Sequence, residues 1–402
     1  MDALGAADAR PYRPPTFLPE PDPRARPLTI VSVDDHVVEP PELFDGRMPA
    51  RFADRIPRVV DVENGGQAWL YEGHVLPNVG LNAVAGRAIE EKSMEPTRFD
   101  HMRRGAWDVH ARVRDMDIDG VQASLCFPSF LPGFGGGRIQ TITDDREFAL
   151  AAVRAYNSWH AEEWAGAYPD RFIPCQITWL HDPVLAADEV RANADRGFTA
   201  LAFPESPERL GFPSLHTGHW DPLMRACEET GTVVCLHVGS GGEVITTSAD
   251  MPRAAFTVVF GTYASLTAID WLYSGIPDRF PELTICLSEG GIGWVPGLVD
   301  RLRHIMKYTS ADDWPCSIEP CDMLLRNFRF CAVDDPTTFA ICERIGPEVF
   351  LLEADYPHAD GSWPDTQEHF RRQLDGLDAE TVRRITWQNA SELFRHPIPA
   401  AV

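Results

Sequence analysis

Short apolar runs recur along the chain with amphipathic segments between them. The runs are "LTIVSVDDH", "VQASLCFPS", "RFIPCQITWL", "FTALAFPE", "TVVCLHVGS", "LTICLSEGG", "FRFCAVDD" and "VFLLEADYPH". They are nearly continuous in apolar character rather than alternating, the pattern of parallel strands buried on both faces. The segments "DREFALAAVRAYNSWHAEEWAGAYPDR", "PVLAADEVRANADRG", "WDPLMRACEETG" and "TTFAICERIG" carry helical spacing, and the last three end at glycine before the next run. Eight strand slots alternating with helices predict an α/β fold, specifically a (β/α)8 TIM-like barrel. An open doubly wound sheet is the alternative, but no glycine-rich dinucleotide fingerprint follows the first run.

The spacing is uneven at one place. Roughly eighty residues, about Val37 to Gly120, separate the first and second runs, far more than one crossover needs. Within that stretch residues 40–112 are expected to be an insertion that caps the barrel mouth, with a hairpin at "NGGQAWLYEGHVL" and the charged helix "DVHARVRDMDIDG" following. The expected organisation is an extended N-terminal arm over 1–27, a barrel over 28–396 containing the insertion, and a tail over 397–402. The arm is proline-rich and lacks a basic start followed by an apolar core, so it does not read as a signal peptide. The longest uncharged stretch, Ala254 to Ile269, falls short of the ~20 apolar residues of a spanning helix and reads as a buried or subunit-facing helix. These features predict a soluble, cytoplasmic protein.

Composition narrows the partners. Sixty acidic against 36 basic residues give a formal charge of −24, which argues against an extended nucleic-acid or anionic-membrane surface. The nine cysteines sit mostly singly in apolar runs and read as reduced, structural thiols. Cys316 and Cys321 form the one close pair, a weak signal for zinc or a disulfide without a second pair.

In such barrels the reacting groups come from the C-terminal ends of strands. The first run ends in Asp34, Asp35 and His36, the fifth in His237, the sixth in Glu289 and the eighth in Asp355. Asp34 and His36 are two apart, so on a strand they share a face while Asp35 points to the other. With His237 and Asp355 they make two imidazoles and two carboxylates, a donor set for one divalent ion, zinc first, with manganese or iron also suited. Singly, His237 reads rather as a hydrogen-bonded core histidine and Asp34 as a helix or turn cap. Four competent groups at four expected strand ends favour the metal. Glu39 is expected to begin a helix or turn beside proline, and Asp35 to support the ligands from behind or to cap.

At these residues the chain resembles the amidohydrolase superfamily, and within it the amidohydrolase-2 group that holds the aminocarboxymuconate-semialdehyde, resorcylate and carboxyvanillate decarboxylases. The likeness runs from about Ile30 to Phe394 and is carried by "DDHVVEP", "LHVGSGG", "SEGGIGWVP", "ADYPH" and "WQNASELF". It implies that Asp34, His36, His237 and Asp355 bind a divalent metal and that the protein is a homodimer. Asp34 stands where relatives usually have histidine or glutamate. Glu289 stands where the decarboxylases commonly carry an acid/base histidine, and a carboxyl can relay protons there if its pKa is raised. His358 fits a histidine that touches substrate or supports a ligand, and reads equally as one held in a structural hydrogen bond. His216, His219 and Trp220 in "HTGHW" lie on the wrong side of a helix and read as structural. Arg103, Arg104 and Trp107 read as a solvated helix face rather than an anion site.

The implied activity is non-oxidative decarboxylation of a small aromatic or conjugated carboxylic acid, with Asp355 or Glu289 protonating the carbon that loses CO2 and no organic cofactor. Hydrolysis of an amide, ester or carbon–carbon bond by metal-activated water uses the same ligands. A barrel that binds a ligand without catalysis is a third reading, weakened by the intact donor set.

Overall fold

The computed structural model describes residues 13–398 except 243, 245, 249, 253, 254 and 317. Arm residues 1–12, tail residues 399–402 and Ala254 at the start of the uncharged stretch therefore lie outside the described residues. Among the described residues there are twelve strands, in chain order: β1 (Val31–Val37), β2 (Arg58–Asp61), β3 (Gln67–Tyr71), β4 (His74–Leu76), β5 (Ala123–Pro128), β6 (Phe172–Ile173), β7 (Cys175–Ile177), β8 (Ala200–Phe203), β9 (Val233–His237), β10 (Ile285–Ser288), β11 (Phe328–Ala332) and β12 (Phe350–Leu352).

Nine of them form one parallel sheet in the order β6-β5-β1-β12-β11-β10-β9-β8-β7. Its two edge members, β6 and β7, are neighbours in sequence and flank Pro174, which has no N–H to give a ladder. The ladder thus runs round from β7 to β6 with its break at that proline. Taken as one strand, β6 and β7 bring the count to the eight runs of the sequence, and the fold is the expected α/β barrel type. Every residue of β1, β5, β8, β9, β10 and β12 is buried, as a sheet covered on both faces requires.

Helices close the crossovers where the sequence places them. Asp145 caps Arg146–Trp159 by accepting from Phe148 N, and Asp182 caps Pro183–Ala194 by accepting from Val184 and Leu185. Asp221–Thr230 stops at Gly231, whose left-handed φ of 64° lets its N–H reach Cys227 and Glu228. The segment "TTFAICERIG" departs from its predicted helix: it is one turn, Pro336–Phe339, then a 3-10 turn, Cys342–Arg344. β-Branched Thr337, Thr338 and Ile341 are poor helix formers and leave the turn too weak to propagate.

The insertion carries the three-stranded antiparallel sheet β2-β3-β4. β3 and β4 pair Tyr71 with His74 across a two-residue turn in which Glu72 and Gly73 both have positive φ, the handedness a tight hairpin favours. Trp69 and Tyr71 are buried, and Tyr71 OH donates to Ile139 O at 2.7 Å, so this sheet packs on the helical layer after β5. A later part of the insertion reaches the strand ends: Val84 N and Ala85 N both donate to Pro357 O, and Lys92 Nζ to Ala359 O. The described arm runs along it, with Leu18 N on Gly86 O and Glu20 held by both terminal nitrogens of Arg103.

Helix Phe260–Tyr273 buries Tyr263, Ala264, Thr267, Ala268, Trp271 and Leu272 and exposes Leu266 and Tyr273. Among the described residues no helix is long and apolar enough to cross a membrane. All nine cysteines are free, and Cys316 and Cys321 do not pair.

Candidate metal centre

The register sets the height of each strand end. Ser32 of β1 lies level with Leu352 of β12, and Ser288 of β10 with His237 of β9, so the residues just beyond these positions converge on one end of the sheet. β1 carries a one-residue irregularity between Ser32 and Asp35 in its pairing with β5. Such a bulge re-aims side chains near functional sites. Two backbone bonds then tie β1 to the loop after β12: Asp355 N donates to Asp34 O at 3.0 Å, and His36 N to Tyr356 O at 2.7 Å.

Asp34, His36, His237, Glu289, Asp355 and His358 meet here. His36 Nε2 lies 3.7 Å from Asp34 Oδ1 and 3.5 Å from Asp355 Oδ1. His237 Nε2 lies 3.6 Å from Asp34 Oδ2, 3.4 Å from Glu289 Oε2 and 3.1 Å from His36 Nε2. His358 Nδ1 is 2.8 Å from Asp355 Oδ1, and its ring stacks on His36 with centroids 3.9 Å apart. Asp34–His36–His237 and His36–Asp355–His358 each bring ligand atoms within 4.8 Å of one another.

The electrostatics call for a cation. Burial raises the carboxyls of Asp34, Glu289 and Asp355 well above their ordinary range, and neighbouring carboxylates push each further. Burial lowers the imidazoles, His36 well below its usual value, His237 to about 3 and His358 to about 4. His237 Nδ1 faces Val238 O at 2.7 Å, which places its proton there and leaves a lone pair on Nε2. That lone pair meets His36 Nε2, and both oxygens of fully buried Asp34 lack a hydrogen-bond partner. Neutral imidazoles converging on unpartnered carboxylate oxygens fit one divalent ion, which would satisfy all of these lone pairs at once.

Two residues of the centre stand in left-handed backbone without being glycine, Glu289 at φ 61° and Asp355 at φ 51°. Such conformations persist when the surroundings hold them. Asp355 is held by the Asp34 carbonyl, and Glu289 donates its N–H to Glu353 Oε2 at 3.0 Å. Glu353 is buried, with its carboxyl raised to about 8 chiefly by burial.

Asp35 points away from the centre, as period-2 geometry requires. It accepts from Ser32 Oγ, Ser124 Oγ and Tyr356 N and so ties β1, β5 and the Asp355 loop together. Glu39 stands directly before the turn that Pro40 O opens by accepting from Leu43 N, as expected, but its side chain serves a distant partner. It is fully buried and accepts from the amides of Ser129, Phe130 and Leu131, a contact across 90 residues of sequence that no local rule reveals.

Four further residues escaped the sequence reading. Asp360 lies within 4.8 Å of Glu289 and Asp355, Glu353 supports Glu289, and Phe134 packs against His237 and His36 with centroids 4.2 and 4.7 Å apart. Glu205 accepts from Gly239 N and Gly241 N, holding the loop that follows His237. Glu205 ends the run "FTALAFPE", so the rule of strand ends could have found it.

Outside the centre, Arg103 pairs with Asp115 and Glu20, and Arg104 with Asp108. His216 pairs with Asp270 at the surface, and His219 packs edge-on against Trp220.

A family model described as Amidohydrolase matches residues 71–396. The chain is 24% identical to a gamma-resorcylate decarboxylase of Polaromonas sp. (strain JS666 / ATCC BAA-500) over 333 residues, covering 77% of this chain and 96% of that protein. Its fold is similar to an amidohydrolase from Mycobacterium avium subsp. paratuberculosis K-10, with TM-score 0.69, 21% identity and coverage of 92% of this chain and 100% of that one. It is also similar to a dihydroxybenzoic acid decarboxylase from Polaromonas sp. JS666 solved with manganese and the inhibitor 2-nitroresorcinol, with TM-score 0.59, 18% identity and coverage of 91% and 97%.

Proposed function

The chain belongs to the amidohydrolase family, and from that membership we propose that it is a metal-dependent, non-oxidative decarboxylase of a small aromatic or conjugated carboxylic acid. The observation that carries this reading is the convergence of Asp34, His36, His237 and Asp355, with the unpartnered oxygens of Asp34 at its heart. These four residues would hold the ion. The donor set suits zinc, while the manganese in the dihydroxybenzoic acid decarboxylase turns the assignment towards manganese. When bound, the ion supplies a Lewis acid for the substrate's carboxylate and an adjacent oxygen.

The remaining work falls to the chain's own acids. A carboxyl held above its ordinary range can donate to carbon, and burial, with neighbouring Asp355, Asp360 and Glu353, shifts Glu289 in that direction. Its side chain is 11% exposed against 3% for Asp355, so Glu289 is the group better placed to exchange its proton with water. His358, stacked on His36 and beside Asp355, orients both ligands. Glu353 holds Glu289 in its left-handed backbone.

A carboxyl where the decarboxylases commonly carry histidine also suits removal of a proton from water, which favours hydrolysis as the second reading. Labelled water separates the two. A decarboxylase acting on hydroxylated aromatic acids or conjugated dienoic acids is expected to release CO2 without oxygen or added cofactor and to place solvent deuterium at the vacated carbon. Solvent 18O in the product with no CO2 release would replace decarboxylation by hydrolysis.

A further inference from the structure

The loop after β5 reads "PGFGGG", Pro132 to Gly137, and sends one large side chain, Phe134, against the metal-ligand candidates. The ring is tilted 43° to His237 and 56° to His36, at 4.2 and 4.7 Å between centroids, and lies 6.0 Å from His358. It is partly exposed and so faces the mouth as well as the imidazoles.

Glycines commonly signal a mobile flap, but here they serve close approach. A Cβ on Gly135 would lie 2.8 Å from Pro204 N and 3.0 Å from Phe203 C, backbone atoms that have nowhere to go. A Cβ on Gly136 would lie 2.8 Å from Ile177 Cβ, and one on Gly137 2.5 Å from Leu210 Cδ1. The loop is therefore wedged against the ends of β7 and β8. Both sides are clamped by buried polar groups: Glu39 takes the amides of Ser129, Phe130 and Leu131, and Gln140 Nε2 donates to Gly136 O at 2.8 Å and Thr178 O at 2.7 Å. Backbone held this way presents Phe134 as a fixed plane.

We infer that Phe134 is the specificity-determining wall of the centre, an aromatic face that selects a flat, unsaturated ring on the acid being bound. This deepens the proposed function and rests on it for the location of substrate. A molecule whose carboxylate reached an ion held by His36 and His237 would lie beside the Phe134 ring, which packs against both imidazoles. A planar π system gains stacking there in addition to burial, and a puckered ring loses it.

Binding to the manganese-loaded full chain tests the wall without relying on turnover. The probes are 2,6-dihydroxybenzoate and the saturated 2-hydroxycyclohexanecarboxylate, measured by calorimetry against wild type, Phe134→Leu and Phe134→Tyr, with metal content as the control for an intact centre. Phe134→Leu keeps apolar bulk and removes the aromatic face. It is expected to weaken the aromatic probe about threefold to tenfold, the size of an aromatic pair beyond its buried area. The saturated probe should change by less than about twofold, and Phe134→Tyr should keep the wild-type preference. Equal changes in both probes, tighter binding in Phe134→Leu as for a ring that merely plugs the site, or no binding of either acid by wild type would overturn the inference. CO2 release from an acid whose affinity ignores Phe134 would leave the decarboxylase standing without the wall. A Phe134-dependent preference with 18O in the product would leave the wall standing without the decarboxylase.

Discussion

His237 shows how one side chain is prepared for its task. Its Nδ1–H is committed to the Val238 carbonyl, and the loop carrying that carbonyl is pinned by Glu205 through Gly239 and Gly241. Nε2 is left facing His36 Nε2 and Asp34 Oδ2, free to join them as a ligand in the proposed metal site. Replacing His36 or His237 by alanine is therefore expected to bring bound metal from about one ion per chain to near zero, because removing one of four donors breaks a closed set. Elemental analysis of the purified variants measures it, and unchanged content would refute the ligand assignment. Glu289→Gln is expected to keep the ion and lower turnover by roughly a hundredfold or more, the usual size of a lost acid/base contribution. Metal loss in that variant would instead make Glu289 a ligand. These donors were legible because histidine and aspartate at the end of an apolar run contradict the run. Phe134 was not, because an aromatic residue among glycines looks like any loop.

Among the elements, β1 and the loop after β5 do most to shape the centre. The period of a strand was enough to assign Asp34 and His36 to one face and Asp35 to the other, and the bulge between Ser32 and Asp35 does not disturb that assignment. The loop after β5 is the opposite case, since its conformation is imposed by Pro204, Ile177 and Leu210 from other crossovers. Gly135→Ala should accordingly force backbone apart and cost about 1–3 kcal/mol, the range for overpacking a filled interior. The denaturant midpoint at constant slope reports it, and a variant as stable as wild type would show that the loop has room to move. Pro174 makes a similar point on the sheet. The sequence contains one strand there, and hydrogen bonding divides it because a residue without N–H cannot serve both neighbours.

For the whole molecule, the formal charge of −24 is accompanied by acids taken out of solvent. Burial raises Glu39 and Asp119 to about 7 and Glu205 to about 8, despite the hydrogen bonds that oppose it. Each of these groups binds its proton more tightly folded than unfolded. Its stabilising contribution is full below the unfolded value near 4 and is lost as pH rises through the folded value. Stability is thus expected to fall between about pH 5 and pH 8, by up to about 1.4 kcal/mol per pH unit for each group still holding its proton. Glu205→Gln, which keeps an acceptor for Gly239 and Gly241, should flatten that slope when unfolding is followed at several pH values. An unchanged slope would mean that Glu205 is already ionised in the folded chain.

What the sequence determined by itself was whatever depends on neighbours along the chain. Continuous apolar runs ending in Asp34, His36, His237, Glu289 and Asp355 specify buried parallel strands with charged mouths, because a buried strand tolerates such groups only where something satisfies them. Tertiary structure decided the rest. The amides Glu39 accepts from, the loop Glu205 holds, the backbone Glu353 supports and the ring that packs on the imidazoles are contacts between segments tens to hundreds of residues apart. Their partners are chosen by how the crossovers pack, and the local pattern of residues carries no record of that choice.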